Sequence, residues 1–290
     1  MQKNILRILD LKKGSFSKGQ RRIAAYITES YDKAAFMTAS KLGKIAGVSE
    51  STVVRFAMEL GYDGYPSMQK AMQEMVLNRL TPSQRIGVAN DRIGDQDVVS
   101  MVLQSDMDKL RKTNETVNRE DFKAAVDAIK NAKRIYILGV GSASMLANFT
   151  AHYFRYMFDY VRCVTSSDAA DMFGNLIHVN SDDVVIAFSF PRYSSSTVKA
   201  ARFCRDAGAK VIAVTNSTMS PLGQNCDHVL VAKSDMVSLV DSLVGPLSLV
   251  NALVVAVAAT REKNLEKTFT ALEQVWHDYH VYEKDNDEEV

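Results

Sequence analysis

The sequence has few cysteines and no apolar run of the length that a membrane helix ordinarily needs. Its three cysteines, Cys163, Cys204 and Cys226, are odd in number and widely spaced, which matches neither a disulfide framework nor a metal site. The most apolar segment, 243–259, is 17 residues long and contains Pro246, so it favours a buried core or interface helix. We therefore expect a cytoplasmic protein with no bound metal and no membrane association.

The composition indicates two folded domains of opposite net charge. A chain of 290 residues that is 47% hydrophobic and 24% charged is globular and is longer than one ordinary core requires. Residues 1–80 hold 13 Lys and Arg against 7 Asp and Glu, whereas the remaining residues hold 22 against 27. A basic first domain followed by an acidic second domain favours a polyanionic partner for the first.

The first 77 residues have the pattern of short helices. Apolar positions three and four apart predict helices at 17–31, 38–47 and 49–61, and a further helix after Pro66. We assign residues 1–77 to an all-α domain. The next stretch, 78–97, lacks strong periodicity and contains Pro, Gly and Asn, which predicts a linker.

From residue 98 the pattern changes to an alternation of helices and short strands. After two predicted helices, at 98–117 and 119–131, come five short runs that are apolar throughout rather than at every second residue. Such runs are typical of parallel strands covered on both faces. The predicted fold class is therefore α/β, with an all-α helix-turn-helix domain followed by a doubly wound, five-stranded parallel sheet over 98–283. An acidic tail, 284–290, ends the chain.

The stretch "LGKIAGVSESTVVRF" at 42–56 has the pattern of a helix-turn-helix unit. Gly47 marks a tight turn, Val48 is expected to fill the space between the helices, and Ser49 is the predicted N-cap of the second helix. The predicted inner face of the first helix consists of Leu42, Ile45 and Ala46. The predicted inner face of the second helix consists of Val53, Val54, Phe56 and Leu60.

Polar and basic side chains remain on the outer face of this unit. Hydroxyl groups can reach phosphates or base edges, an arginine can pair with guanine or phosphate, and a helix N-terminus favours anions. Glu50 is the exception, because it would repel phosphate unless it accepts from cytosine or caps the helix. A helical hairpin without a role in DNA binding is the alternative. The candidate DNA-binding residues are Lys41, Lys44, Ser49, Glu50, Ser51, Thr52 and Arg55.

Two serine-rich loops, "GVGSAS" at 139–144 and "SFPRYSSST" at 189–197, follow predicted strands. In an open parallel sheet, ligands bind beyond the carboxyl ends of the strands. The first loop is neither a dinucleotide fingerprint, because Ser144 stands at the third glycine, nor a P-loop, so no nucleotide cofactor is expected.

Hydroxyls and backbone N–H groups at a helix start suit a single phosphate, with Arg192 as a charge partner, although ordinary N-capping is the alternative role for these serines. A third polar strand end, 216–218, lies further along the chain. The candidate ligand-binding residues are Gly141, Ser142, Ser144, Ser189, Arg192, Ser194, Ser195, Ser196 and Thr197.

The two halves together resemble the RpiR family of bacterial transcription regulators, which join a helix-turn-helix domain to a sugar isomerase (SIS) domain. The resemblance spans about residues 5–280 and is most specific in "VSESTVVRFAMELGYDGYPSMQKAM" and "RIYILGVGSAS". It implies double-stranded operator DNA as one partner, a small sugar-phosphate effector as another, and a homodimer or homotetramer. We expect the SIS domains to pair through apolar helices that include residues 238–260.

The resemblance also places Ser142 and Ser144 in a first phosphosugar-binding loop, and Ser189 and residues 194–197 in a second. Many SIS domains have the pattern Ser-x-Ser-Gly-x-Thr in the second loop. This sequence lacks that glycine and has Pro191, Arg192 and Tyr193 instead, which puts the detailed geometry of the phosphate contacts in question.

Glutamate, the commonest base of aldose–ketose isomerases, is absent from residues 121–261. Among the other candidate bases, a packed position is predicted for His152, a role in ending a helix for His178 and an N-cap for Asp168, while Asp235 could reach a ligand. We therefore expect no enzymatic activity. The predicted function is a DNA-binding transcriptional regulator of sugar-metabolism genes, a repressor rather than an activator, controlled by a sugar phosphate. A phosphosugar isomerase, or a SIS protein that acts through a protein partner, stays open as an alternative.

Overall fold

The computed structural model describes residues 5–77, 97–234 and 241–282. The chain divides into two compact units, residues 1–94 and residues 95–290. The predicted linker (except its last residue, Asp97) and the predicted acidic tail lie outside the described residues. The domain limits drawn from the sequence therefore stay a prediction.

In its described residues, the first unit is helical. Its helices are α1 (Ile5–Lys12), α2 (Lys18–Glu29), α3 (Tyr31–Ala34), α4 (Ala39–Ala46), α5 (Glu50–Glu59) and α6 (Tyr65–Leu77). The helices predicted at 17–31, 38–47 and 49–61 are confirmed to within two residues at each end. Their starts are fixed by N-caps, because the side chains of Ser17, Thr38 and Ser49 each accept a backbone N–H of the first helical turn.

One apolar cluster holds the first unit together. Ile23 of α2, Leu42 of α4, Phe56 of α5 and Met68 of α6 are all fully buried in it. The ring of Phe56 also makes an edge contact with Phe16, with 5.3 Å between the ring centroids. Since each helix contributes residues spaced three or four apart, the helical periodicity of the sequence is what forms this core.

The second unit alternates helices and strands. It contains α7 (Val98–Thr116), α8 (Arg119–Asn131), β1 (Arg134–Gly139), α9 (Ala143–Phe154), β2 (Val161–Val164), α10 (Ala169–Leu176), β3 (Asp183–Phe188), α11 (Ser195–Asp206), β4 (Lys210–Thr215), β5 (His228–Val231), α12 (Val244–Ala259) and α13 (Glu262–Asp278). The five strands form one sheet in the order β2-β1-β3-β4-β5, and every neighbouring pair is parallel. The predicted fold class is confirmed.

Helices cover both faces of the sheet, as the uniformly apolar strands predict. Along β1, Ile135 and Ile137 belong to a cluster with residues of α8, α9 and α12, whereas Tyr136 and Leu138 belong to a second cluster with residues of α10 and α11. Successive side chains of a strand point to opposite faces. A strand buried on both faces therefore has to be apolar at every position.

The apolar segment 243–259 forms the core helix α12. Its buried residues are Gly245, Pro246, Leu249, Val250, Leu253, Val254 and Val257. Among the described residues, no single helix is long and apolar enough to cross a membrane. The pair α12 and α13 passes that test on length and composition only when taken together, and it is bent by 97°.

Candidate DNA-binding and phosphate-binding sites

The turn between α4 and α5 is built around Gly47. This glycine has a φ of +64°, in the left-handed region, and ends α4. The Val48 N–H donates to the Gly43 carbonyl at 2.9 Å, and the Gly47 N–H donates to the Lys44 carbonyl at 3.3 Å. These bonds satisfy carbonyls that a helix end leaves open, and glycine adopts the required conformation at little cost. The predicted turn position is therefore confirmed.

The inner face of α4 differs from the prediction at one position. Leu42 and Ala46 are buried as predicted, but the prediction for Ile45 was wrong because this side chain is 46% exposed. Gly43 lies on the inner face instead, and a Cβ on it would meet the Val48 carbonyl oxygen at 2.9 Å. Because glycine has no side chain, the turn comes close to α4, and the backbone of residues 48–50 packs against Gly43.

Arg22 of α2, which the sequence reasoning did not select, also holds this turn. Its Nη2 donates to the Gly47 carbonyl at 2.8 Å, and a Cβ on Gly47 would meet its Nη1 at 3.0 Å. The positive charge of Arg22 therefore stays at the turn. Its sequence signal is weak, because an arginine on the outside of an amphipathic helix ordinarily marks a solvated face.

The candidate DNA-binding side chains lie on the outside of the first unit. Lys41 and Lys44 are exposed on α4, and Arg55 is exposed on α5. The exposed or half-exposed side chains at the start of α5 are Ser49, Glu50, Ser51 and Thr52. The α4–α5 unit thus carries two lysines, an arginine and a helix start with hydroxyl groups. Such side chains can contact the phosphates and base edges of DNA.

Three hydroxyl groups form a small cluster at the N-terminus of α5. Ser49 Oγ lies 2.9 Å from both Ser51 Oγ and Thr52 Oγ1, and it accepts the Thr52 N–H at 3.3 Å. Ser49 is therefore the N-cap, as predicted, and Glu50 does not cap the helix. A carboxylate in the first turn is instead favoured by the helix dipole, which gives Glu50 a local reason to be there.

The two serine-rich loops of the second unit follow neighbouring strands. Gly139, the last residue of β1, is paired with Phe188, the last residue of β3. The strand order reverses between β1 and β3 because β2 lies on the far side of β1. This is the topological switch point, where ligands of open α/β sheets bind. The fold therefore brings the loop after Gly139 and the loop after Phe188 to the same edge of the sheet.

The loop from β1 to α9 depends on two glycines for different reasons. A Cβ on Gly139 would meet the Ala143 carbonyl oxygen at 2.7 Å and the Ala147 Cβ at 3.1 Å, so this position requires a close approach of strand and helix. Gly141 has a φ of +65° and open space around it. The Ser144 hydroxyl donates to the Gly141 carbonyl at 2.7 Å, whereas Ser142 is exposed and makes no side-chain capping bond.

The loop from β3 to α11 is closed by its own serines. Ser194 is the N-cap of α11 and accepts the Thr197 N–H at 3.2 Å. The Ser194 N–H in turn donates to the hydroxyl of Ser189, a buried residue, at 3.2 Å. Ser194 therefore has the capping role that the sequence left open as an alternative. Ser195 is exposed in the first turn of α11, and Ser196 is half-buried.

Arg192 occupies the conformation that a glycine would adopt without strain. Counted from Ser189, it stands at the glycine of the Ser-x-Ser-Gly pattern, and its φ is +64°. This region costs a residue with a Cβ about 1 kcal/mol or more. This sequence thus keeps the backbone turn of the Ser-x-Ser-Gly pattern, but it has an exposed arginine where the pattern has glycine. Strain of this kind is concentrated at functional sites.

Two further polar groups lie close to this loop. Thr197 is fully buried, and within the described part of the chain its hydroxyl has no hydrogen-bond partner. The Tyr193 hydroxyl donates to Asn216 Oδ1 at 2.7 Å, so the strand end after β4 is joined to the loop after β3. Asn216 belongs to the third polar strand end noted in the sequence, but its contact with Tyr193 could not be read from the spacing.

Each candidate base of an isomerase either caps a helix, is exposed or lies outside the described residues. Asp168 caps α10 by accepting the Asp171 N–H at 2.8 Å, as predicted. His178 is exposed beyond the end of α10. The packed position predicted for His152 was wrong, because its ring is exposed, although it makes T-shaped contacts with the rings of Tyr153 and Tyr156. Asp235 lies outside the described residues.

The described residues favour neither a reactive thiol nor a metal site. Burial raises the pKa of the Cys204 thiol and of the Cys226 thiol to about 12, and it also raises the pKa of Cys163. These thiols are therefore protonated at neutral pH and are poor nucleophiles. Within the ranges that the structure describes, no three His, Cys, Asp or Glu side chains form a group that could hold a metal ion.

We expect the two glycines of the β1–α9 loop to differ in their sensitivity to alanine. Gly139→Ala introduces a clash with backbone and should lower the free energy of unfolding by about 3 kcal/mol, the upper end of the usual cost of overpacking. Gly141→Ala meets no atom and should cost about 1 kcal/mol through its positive φ alone. Thermal unfolding of the two variants checks the difference. A Gly141 variant less stable than the Gly139 variant would contradict the described loop.

Family comparisons agree with this two-part architecture. Residues 3–78 match the helix-turn-helix domain of the rpiR family, and residues 128–256 match the SIS domain. The HTH-type transcriptional regulator YfhH of Escherichia coli K12, itself uncharacterized, is 27% identical over 233 residues, which cover 78% of this chain and 80% of that protein.

Two solved structures have a similar fold. The sugar isomerase domain of an RpiR transcription factor from Sphaerobacter thermophilus covers 62% of this chain and 99% of its own, with a TM-score of 0.59 and 26% identity. The NanR protein of Vibrio vulnificus, solved with ManNAc-6P, covers 95% of this chain and 99% of its own, with a TM-score of 0.58 and 23% identity. Because its two parts match, in order, an rpiR-type helix-turn-helix domain and a SIS domain, the chain belongs to the RpiR family of DNA-binding transcriptional regulators.

Proposed function

We propose that this protein is a transcriptional repressor of sugar-metabolism genes whose affinity for operator DNA is controlled by a sugar phosphate bound to the SIS domain. The observation that carries the proposal is the position of the two serine loops. Both lie at the switch point of the sheet, in a chain whose other unit is a helix-turn-helix domain. One chain therefore offers a site for DNA and a separate site for a small anion.

The phosphate site is assigned to the two loops together. Ser142 is exposed and makes no capping bond, so its hydroxyl is available to a ligand. Ser195 and Ser196 belong to the first turn of α11, where backbone N–H groups favour an anion, and the Arg192 guanidinium supplies the opposite charge. The complex of NanR with ManNAc-6P supports a phosphosugar as the ligand class.

The DNA site is assigned to α4 and α5. We propose that α5 enters the major groove with its N-terminal hydroxyls and Arg55, while Lys41 and Lys44 lie against the phosphate backbone. Two copies of the chain would place two such helices on the two halves of a pseudo-palindromic operator. The homo-oligomer and the cytoplasmic location are parts of this proposal.

A phosphosugar isomerase is the second candidate, since the SIS fold also occurs in proteins described as isomerases. The sequence has no glutamate from residue 121 to residue 261. In the described ranges, Asp168 is a helix cap, and the two histidines His152 and His178 are exposed on or beyond helices. We therefore favour a ligand-binding SIS domain without turnover.

Binding to the DNA upstream of its own gene tests the proposal. Fluorescence anisotropy should detect tight binding that falls at least tenfold between 50 and 200 mM salt, because phosphate contacts release counterions. Random DNA of the same length is the control. Affinity equal to that for random DNA, together with turnover of a hexose or amino-sugar 6-phosphate, would support the isomerase instead.

Arg192→Gly separates ligand binding from stability. The glycine relieves the left-handed strain but adds chain entropy to the unfolded state, and these effects of about 1 kcal/mol each oppose one another. We therefore expect a nearly unchanged melting temperature and an affinity for the effector that is reduced about tenfold, as expected for one charge-assisted hydrogen bond of about 1.5 kcal/mol. Calorimetric titration measures the affinity.

Arg202→Ala is the control for this variant, because it removes another exposed arginine, one that lies on α11 and forms a surface ion pair with Asp206 at 3.7 Å. An effector affinity that Arg192→Gly leaves unchanged would remove Arg192 from the site. An equal loss in both variants would mean that only the general charge of this surface matters.

A further inference from the structure

The first turn of α2 lies against the start of α5. A Cβ on Gly19 would meet Val48 Cγ1 at 3.1 Å and Thr52 Cγ2 at 4.0 Å, so α2 comes close to α5 at this point. Arg22 follows Gly19 by three residues and Lys18 by four, which places all three on one side of α2. Lys18 and Arg22 are exposed. The side of α2 next to α5 therefore carries two positive charges.

Arg22 is fixed at the turn that leads into α5. Its Nη2 donates to the Gly47 carbonyl at 2.8 Å, and Gly47 ends α4 two residues before Ser49, the N-cap of α5. A Cβ on Gly47 would meet Arg22 Nη1 at 3.0 Å, so both terminal nitrogens of the guanidinium lie close to this exposed glycine. The positive charge of Arg22 thus has a defined position at the entry to α5, just before the hydroxyl cluster.

The guanidinium of Arg22 keeps most of its donors after this bond. A guanidinium has five N–H groups and no acceptor, and the Gly47 carbonyl takes one of them. In the part of the chain that the structure describes, no carboxylate forms an ion pair with Arg22, although Glu50 is exposed in the first turn of α5. Arg22 therefore has both free donors and an uncompensated charge for an anion that passes the turn.

We propose that Arg22 binds a DNA phosphate next to the start of α5, so that the DNA site of the first unit extends to a third helix, α2. The inference rests on the proposed function, because it takes α5 as the helix that enters the major groove. The bond to the Gly47 carbonyl orders the guanidinium before DNA is bound, and an ordered side chain loses less entropy on binding. Phosphate contacts fix the orientation of a protein on the duplex and carry no sequence information. Arg22 in this role orients α5 and leaves the reading of bases to α5 itself.

Arg22→Ala, compared with Arg21→Ala, tests the proposal. Arg21 is the matched control because it is adjacent, exposed and bonded in a similar way, with its Nε donating to the Phe16 carbonyl at 3.0 Å. Successive residues of a helix point about 100° apart, so Arg21 does not share the side of α2 that carries Gly19 and Arg22. Each variant loses one positive charge and one hydrogen bond to a backbone carbonyl, and only the position differs.

Fluorescence anisotropy of the full chain, on the DNA upstream of its own gene and on random DNA, measures the effect. Arg22→Ala should weaken binding to both DNAs by about fivefold or more, because a phosphate contact does not depend on sequence. The slope of log affinity against log salt should decrease by about 0.9 for each bound chain. Arg21→Ala should keep the wild-type slope and stay within about twofold of the wild-type affinity.

Two further variants separate the charge of Arg22 from its bond to the turn. Arg22→Lys keeps the charge and should keep the salt slope, whereas Arg22→Gln keeps an amide donor for the Gly47 carbonyl and should lose slope like Arg22→Ala. Thermal unfolding verifies that all four variants are folded. A role that is only structural would leave the slope of every folded variant at the wild-type value.

The outcomes distinguish this contact from the proposed function. A wild-type slope in Arg22→Ala and Arg22→Gln, or an equal loss of slope in Arg21→Ala, would overturn the proposal. A wild type that binds both DNAs with equal affinity, together with a reduced slope in Arg22→Ala, would uphold the Arg22 contact and refute the repressor. A wild type that binds neither DNA would refute both.

Discussion

Asp183→Ala is expected to lower the free energy of unfolding of the SIS domain by about 3 kcal/mol, the lower end of the cost of breaking a buried ion pair. The Asp183 side chain is completely buried and accepts Arg134 Nε at 2.8 Å and Arg134 Nη2 at 2.7 Å. It also accepts the Asn180 N–H at 2.8 Å. The variant leaves a guanidinium and a backbone N–H without their acceptor. The Arg134 side chain is 23% exposed, so water reduces the penalty.

This ion pair joins β1 to β3 at the end of the sheet opposite to the serine loops. The Arg134 Nη2 also donates to the His178 carbonyl at 2.7 Å, and the hydrogen bonds to Asp183 raise the pKa of Arg134. A loss of about 3 kcal/mol in a domain of this size should lower the melting temperature by about 6–12 °C. Calorimetry of the purified variant measures this shift.

The adjacent Asp182→Ala is the control for this prediction. Asp182 has a side chain that is 63% exposed and a long ion pair with Lys133 at 4.0 Å, and such surface pairs contribute about 0–1 kcal/mol. Equal melting temperatures for the two alanine variants would show that Asp183 does not have the described buried role. A replacement of both partners, Arg134→Met with Asp183→Leu, should cost less than Asp183→Ala alone because no charge stays buried without a partner.

Arg55→Ala is expected to weaken operator binding by at least thirtyfold. Each arginine contact to a base or phosphate contributes about 1–3 kcal/mol, and the proposed dimer would lose two of them. Arg55 is exposed on α5, one turn after the hydroxyl cluster, so its removal leaves the core of the first unit untouched. Effector binding and the melting temperature should stay as in the wild type. Anisotropy at several salt concentrations measures the affinity.

The salt dependence of the same titration distinguishes the kind of contact. If Arg55 binds phosphate, the slope of log affinity against log salt should decrease by about one for each chain, whereas a base contact should leave the slope nearly constant. Arg202→Ala removes an exposed arginine from the SIS domain and serves as the control for net charge. Equal losses in both variants would contradict a DNA-reading role for α5.

Local structure could be read from the sequence with good accuracy because its signals are local. Ser49 before an apolar run predicts the start of α5, and Gly61, with a φ of +87°, marks its end as predicted. The uniformly apolar strands predict a parallel sheet covered on both faces. The motifs after β1 and β3 predict which loops lie at its ligand-binding edge, although only the sheet order places both at the switch point.

The errors and omissions concern contacts between residues far apart in the chain. Ile45 has the helical spacing of an inner residue but is 46% exposed, whereas Gly43 lies against the backbone of the turn. The contact of Arg22 with the turn and the pair of Arg134 with Asp183 join positions 25 and 49 residues apart. The polar contacts of Thr113 and Asp106 on α7 to residues 233 and 242 likewise join distant positions, and no pattern within the helix indicates them.

A titration of operator DNA with and without a saturating hexose or amino-sugar 6-phosphate measures whether the chain couples the binding of a sugar phosphate to its affinity for DNA. We predict that one sugar phosphate of the panel lowers the operator affinity at least fivefold, a coupling free energy of about 1 kcal/mol or more. In the Arg192→Gly variant the same response should require about ten times more ligand. An operator affinity that no sugar phosphate changes, in a protein shown by calorimetry to bind one, would contradict the account.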